Sequence, residues 1–118
     1  MFALTPSLNY YLCPGYVDMR KGIYSLYQTV KSELKRDPLS GEVFIFLGKT
    51  GRQIKILHWD RDGFLLYHKK LEKGRYQKPL YHIAEGRCHL DWQAFVWMMQ
   101  GAGTGPGKCR KYSRSDYK

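Results

Sequence analysis

The sequence lacks most of the devices that staple or anchor a small protein. Cysteine is scarce, with three residues, Cys13, Cys88 and Cys109, at wide spacing in a chain of 118. An odd number so dispersed makes no disulfide framework and no zinc-ligand pattern. No run of eighteen apolar residues is present to span a bilayer. No charged-then-apolar leader with a small-residue cleavage site opens the chain, so the cytoplasm is the expected compartment. The usual catalytic signatures are missing too. Gly48-Lys49-Thr50 resembles the end of a P-loop but has neither the upstream glycine nor the following helix. No serine occupies a nucleophile-elbow context. Asp60 and Asp62 flank a tight turn and are explained by turn chemistry rather than paired acid catalysis. The expectation is a protein without a catalytic centre, metal or cofactor.

Negative charge is also in deficit. Twenty lysines and arginines stand against ten carboxylates, a net charge of +10 and a pI near 9.6. Such an excess suits a polyanionic partner. The body stays basic without its C-terminal tail, where Lys108, Arg110, Lys111, Arg114 and Lys118 face only Asp116. A chain of this length makes one domain. We expect it over residues 1–100, followed by a basic, disordered tail over 101–118, whose GAGTGPGK opening and polar remainder cannot bury a core.

What is abundant is β-forming sequence. Residues 42–71 read EVFIFLGKTGRQIKILHWDRDGFLLYHKKL. Three runs rich in β-branched and aromatic residues are joined by GKTG and DRDG, the pattern of consecutive hairpins. Asp62-Gly63 suits a three-residue loop with glycine in a bulge position. That register pairs Lys55 with Lys69, Leu57 with Tyr67 and Ile56 with His68, and puts His58 and His68 on one face. Two facing lysines either extend into water or hold an anion between them. Upstream, Asn9 to Cys13 reads as a strand ended by Pro14-Gly15.

The strongest helix signal spans residues 18–36. Met19, Ile23, Leu26, Tyr27, Val30 and Leu34 form one apolar face, Asp18 is a candidate N-cap, and Asp37-Pro38 ends the helix. Arg20 and Lys21 then fall in its first turn, where the helix dipole disfavours cations. Either an anion such as a DNA phosphate docks there beside Gly22, or both side chains bend away to other partners. In residues 72–79, Lys73, Arg75 and Lys78 interleave with Tyr76, and Tyr81 follows. Cations among aromatics can track a backbone and stack on bases, or form a solvated loop with inward tyrosines. A short strand at 88–90 precedes Asp91, which caps a helix over 92–100. That helix is apolar nearly all round, so Trp92, Phe95, Trp97 and Met98 either fill a core or present a partner surface.

The fold class predicted is α+β: an antiparallel β-meander covered on one face by a long helix, with a short C-terminal helix. The segments VDMRKG (17–22), DPLSGEVFIF (37–46), KILHWD (55–60), GF (63–64) and KLEKG (70–74) recur in order and spacing in a known family. Through them the chain resembles the TnpB-type accessory protein of insertion-sequence-66 transposable elements of bacteria, over most of residues 1–100. The resemblance implies a non-catalytic supporting role in DNA transposition and recombination, beside an element-encoded transposase that carries the acidic strand-transfer centre. Taken with the excess of basic charge, that role makes DNA the expected partner, and the basic side chains assigned to it are Arg20, Lys21, Lys49, Arg52, Lys55, Lys69, Lys70, Lys73 and Arg75. The alternative is an adaptor that holds the transposase through Trp92, Phe95, Trp97 and Met98. Self-association is a further open question.

Overall fold

The computed structural model describes residues 4–78 and 88–100. The fold is α+β, a mixed five-stranded sheet with a helix on each face. In chain order the elements are β1 (Tyr10–Tyr16), α1 (Ile23–Thr29), β2 (Val43–Leu47), β3 (Gln53–Asp60), β4 (Gly63–Lys70), β5 (His89–Leu90) and α2 (Trp92–Met99). A wider helical turn, Val30–Leu34, continues α1. Across the sheet the strand order is β4-β3-β2-β1-β5.

The predicted meander is present as β2-β3-β4, all antiparallel. The sheet as a whole is not a meander. β1 pairs parallel with β2, and β5 pairs antiparallel with β1. A parallel neighbour needs a crossover connection, and α1 provides it. This makes β2 the central strand. All five of its residues, VFIFL, are at most 1% exposed, which explains why its sequence is continuously apolar rather than alternating.

The two faces carry separate cores. Val43, Ile45, Leu47, Ile54 and Ile56 meet Ala94, Phe95, Trp97 and Met98 of α2. Phe44, Phe46 and Leu57 meet Leu26, Val30 and Leu34 of the first helix. The second helix is thus a core element. Phe95, Trp97 and Met98 are buried and Trp92 is partly so, so three of the four candidate partner residues are taken up by the core. Asp91 caps α2 as expected, its carboxylate accepting from the Ala94 amide at 2.7 Å.

The first helix is shorter than predicted, covering residues 23–34. Asp18 does not cap it. The Asp18 carboxylate accepts from the Arg20 amide at 2.9 Å, and the Lys21 amide donates to the Asp18 carbonyl, closing a local turn instead. Extended Gly22 is the N-cap. Short aspartates compete for nearby amides in this way, and here the turn wins over the helix. Arg20 and Lys21 therefore precede the helix, and the dipole argument for an anion there falls. At the other end Lys35 takes a left-handed conformation (φ 57°), and the Lys35 and Arg36 amides both donate to the Val30 carbonyl. Arg36 then makes paired 2.8 Å hydrogen bonds to the Glu42 carboxylate, and its guanidinium lies 4.1 Å over the Tyr11 ring. This clamp fixes the helix exit against the start of β2.

The β3–β4 register is slipped by one residue from the prediction. A two-residue turn, Arg61-Asp62, replaces the three-residue loop, with Arg61 at φ 60°. Lys55 faces His68, Ile56 faces Tyr67 and Leu57 faces Leu66. A one-residue slip exchanges faces, so Lys55 and Lys69 are not opposed and His58 and His68 lie on opposite faces. The predicted tail, Tyr81 and residues 79–87 lie outside the described residues.

Two stability effects follow. Replacing Lys35 by glycine should raise stability by about 0.5–1 kcal/mol, because glycine enters the left-handed region without the Cβ penalty; thermal unfolding measures it. The Arg36 hydrogen bonds hold the Glu42 carboxyl below its ordinary 4.5. A carboxylate whose folded pKa is depressed stabilises above its unfolded value and loses that contribution as pH falls through the folded one. Glu42→Gln should therefore cost about 1 kcal/mol at pH 7 and flatten the acid side of the stability profile, read by melting between pH 7 and pH 3.

Candidate nucleic-acid interface

The topology sorts charge along the sheet. Because β1 and β2 run parallel, the segment after β1 and the β2–β3 hairpin emerge at the same end, and the end of β4 joins them. Arg20, Lys21, Lys49, Arg52, Lys69, Lys70, Lys73, Arg75 and Lys78 belong to this end; against them stand Asp18 and Glu72, with Glu33 on the cleft that also holds Asp18 and Lys21. The opposite end holds Lys35, Arg36 and Arg61 against Asp37, Glu42, Asp60, Asp62 and Asp91. The basic end is thus a field source rather than a mixed surface.

The ion pairs reinforce the asymmetry. Among the described residues they are Arg20–Asp18, Arg36–Glu42 and Arg61–Asp60. The last two lie at the acidic end. At the basic end Lys49, Lys69, Lys70, Lys73 and Arg75 are exposed and have no carboxylate partner among the described residues. Arg20 is engaged: its guanidinium donates to both Asp18 oxygens, at 2.7 Å for the closest, and holds that carboxyl well below the usual range. Lys21 donates to the Thr29 hydroxyl at 3.1 Å.

Lys55 leaves the predicted set. It is 7% exposed on the α1 face, and its ammonium donates to the Lys21 carbonyl at 2.7 Å. It ties the loop before α1 to the sheet and cannot reach a phosphate. Tyr76 also leaves: it is buried in the α2-side core, where burial pushes its hydroxyl up to about 12. Neighbouring Lys78, one of the cations interleaved with aromatics in residues 72–79 but outside the expected DNA-binding set, is the residue gained. It donates to the Pro14 carbonyl at 2.7 Å and lies 4.5 Å over the Tyr16 ring, and burial lowers its pKa.

The hairpin tip is built by glycine. The Gly51 amide donates to the Gly48 carbonyl, and Gly51 sits at φ 79°. The positive-φ glycine expected at Gly63 is thus found at Gly51. The tip presents Lys49 and Thr50 to solvent. The following segment folds back on it, the Tyr76 amide donating to the Gly51 carbonyl at 2.7 Å and Arg52 to the Glu72 carbonyl at 3.1 Å. A Cβ on Gly51 would lie 3.3 Å from the Arg75 Cβ, so the close approach of Arg75 to the tip also needs glycine.

Two open clefts, about 510 and 520 Å³, share Tyr16, Lys49 and Thr50 in their linings. Arg75 and Lys78 line the first, Arg20 and Gln53 the second. The titratable and hydroxyl side chains of the first are Tyr16, Lys49, Thr50, Arg75, Tyr76 and Lys78, and those of the second are Tyr16, Asp18, Arg20, Lys49 and Thr50. His58 lies near the Glu42 carbonyl and His68 near the Gln53 amide, away from each other. Among the described residues no cluster of three histidines, cysteines or carboxylates could hold a metal ion, and no helix is long and apolar enough to cross a membrane.

Comparison with known proteins agrees with the sequence motifs. The family model described as IS66 Orf2 like protein matches residues 8–106. Two proteins of Sinorhizobium fredii are similar. The uncharacterized protein y4hO is 36% identical over 73 residues, 62% of this chain and 64% of its own length. The uncharacterized protein y4jC is 32% identical over 85 residues, 72% of this chain and 71% of its own. The chain thus spans somewhat under two thirds of the first relative. No solved structure matches it. The match over most of the described fold makes this chain a member of the IS66 Orf2-like family, a transposition-associated accessory family of insertion-sequence-66 elements.

Proposed function

We propose that this protein is a non-catalytic accessory factor of DNA transposition that binds DNA through the basic end of its sheet. One observation carries the reading: five exposed cations, Lys49, Lys69, Lys70, Lys73 and Arg75, are gathered at one end without carboxylate partners among the described residues. Like charges held together repel, and a phosphate backbone relieves that repulsion with release of its counterions. Arg52 and Lys78 extend the same surface, and Arg20 and Lys21 form its margin. Contacts of this kind supply affinity and orientation rather than sequence choice. The adaptor reading has less support, since three of the four side chains it relied on fill the core.

The test is a mobility-shift titration of the full chain at two salt concentrations. The Lys49→Glu, Arg75→Glu double variant should weaken binding at least tenfold at 50 mM salt. It should also reduce the log–log salt slope by about 2, given roughly 0.9 per lost phosphate contact. Lys35→Glu, at the acidic end, should leave both nearly unchanged. Equal losses from the two variants would mean that net charge, not this surface, drives binding.

A further inference from the structure

We propose that the basic end engages single-stranded DNA, with the Tyr16 ring as the platform on which an unpaired base stacks. This rests on the DNA-binding reading above and goes on to name the form of DNA and the residue that selects it.

Tyr16 ends β1, where it pairs with Leu47 beside the most buried strand of the sheet, yet it is 62% exposed. It borders both clefts. One face of its ring is taken by the Lys78 ammonium at 4.5 Å, which the Pro14 carbonyl holds in place. A cation fixed on one face leaves the other for a flat π-system. Each cleft is of the size that admits a small ligand, and each has Lys49 on its rim, so a phosphate next to the stacked base finds a cation. Interleaved aromatic and cationic groups along an open groove are how sequence-tolerant single-strand binders work. A duplex keeps its bases stacked inside and can offer this site only phosphates. Tyr24 is more exposed still, at 82%, but borders neither cleft and serves as the control.

The experiment measures fluorescence anisotropy of the full chain with a labelled 20-nucleotide single strand and with the corresponding duplex, at one salt concentration. The wild-type protein should bind the single strand at least tenfold more tightly. Tyr16→Ala should weaken single-strand binding about tenfold and duplex binding less than twofold. Tyr16→Phe should retain affinity, and Tyr24→Ala should match wild type. A misfolded Tyr16→Ala would lose both ligands together, so the ratio of the two is the readout, with Tyr16→Phe as the folded check. Equal affinity for strand and duplex, or equal losses on both with Tyr16→Phe also impaired, overturns this proposal and leaves the DNA-binding reading intact. Binding of neither ligand overturns both. Competition by polyglutamate as effective as by oligonucleotide of equal charge would replace DNA with an acidic polypeptide and overturn both as well.

Discussion

Burial of β2 on both faces and both edges is the constraint that organises this molecule. Its five apolar residues cannot be satisfied by a two-stranded hairpin with one helix. They need β3 on one side, β1 on the other, and a helical layer above and below. Each such side chain contributes roughly 1.5–3 kcal/mol when removed from water, more than any single cap or turn in the chain. The parallel β1–β2 pair follows, because the chain reaches β2 through a helix that crosses the sheet.

That pairing also decides which loops share an end of the sheet. The carboxyl ends of the two parallel strands lie side by side, and their loops diverge there. Here those ends are Tyr16 and Leu47, and the loops that diverge from them carry Asp18, Arg20, Lys21 and Lys49. The return segment after β4 docks on the hairpin through the Gly51 carbonyl and adds Arg75 and Lys78. Positive charge is concentrated by topology rather than by any one basic run of sequence.

Local patterning was read correctly where local forces decide. The hairpins of 42–71, the Asp91 cap and the apolar face of the first helix each depend on neighbours within a few residues. Reading failed where two local solutions competed. Asp18 offered both a cap and a turn, and Arg20 and the Lys55-anchored loop favour the turn. At Asp62-Gly63 the glycine bulge looked better than a turn with Arg61 in the left-handed region, a penalty of about 1–2 kcal/mol. The slip matches Leu57 with Leu66 and Ile56 with Tyr67, and those pairings outweigh the strained turn. Lys55 shows the same limit: nothing adjacent to it in sequence tells that a carbonyl thirty-four positions earlier accepts its hydrogen bond.

The sequence by itself determined the family, the fold class, the excess of positive charge and the existence of most elements, because composition, spacing and short-range periodicity are written in adjacent residues. Only the tertiary structure decided which cations share a surface, which lysine is buried, and that an exposed tyrosine stands among them. Those outcomes depend on strand order and register, which are set by summed burial over contacts between residues far apart in the chain.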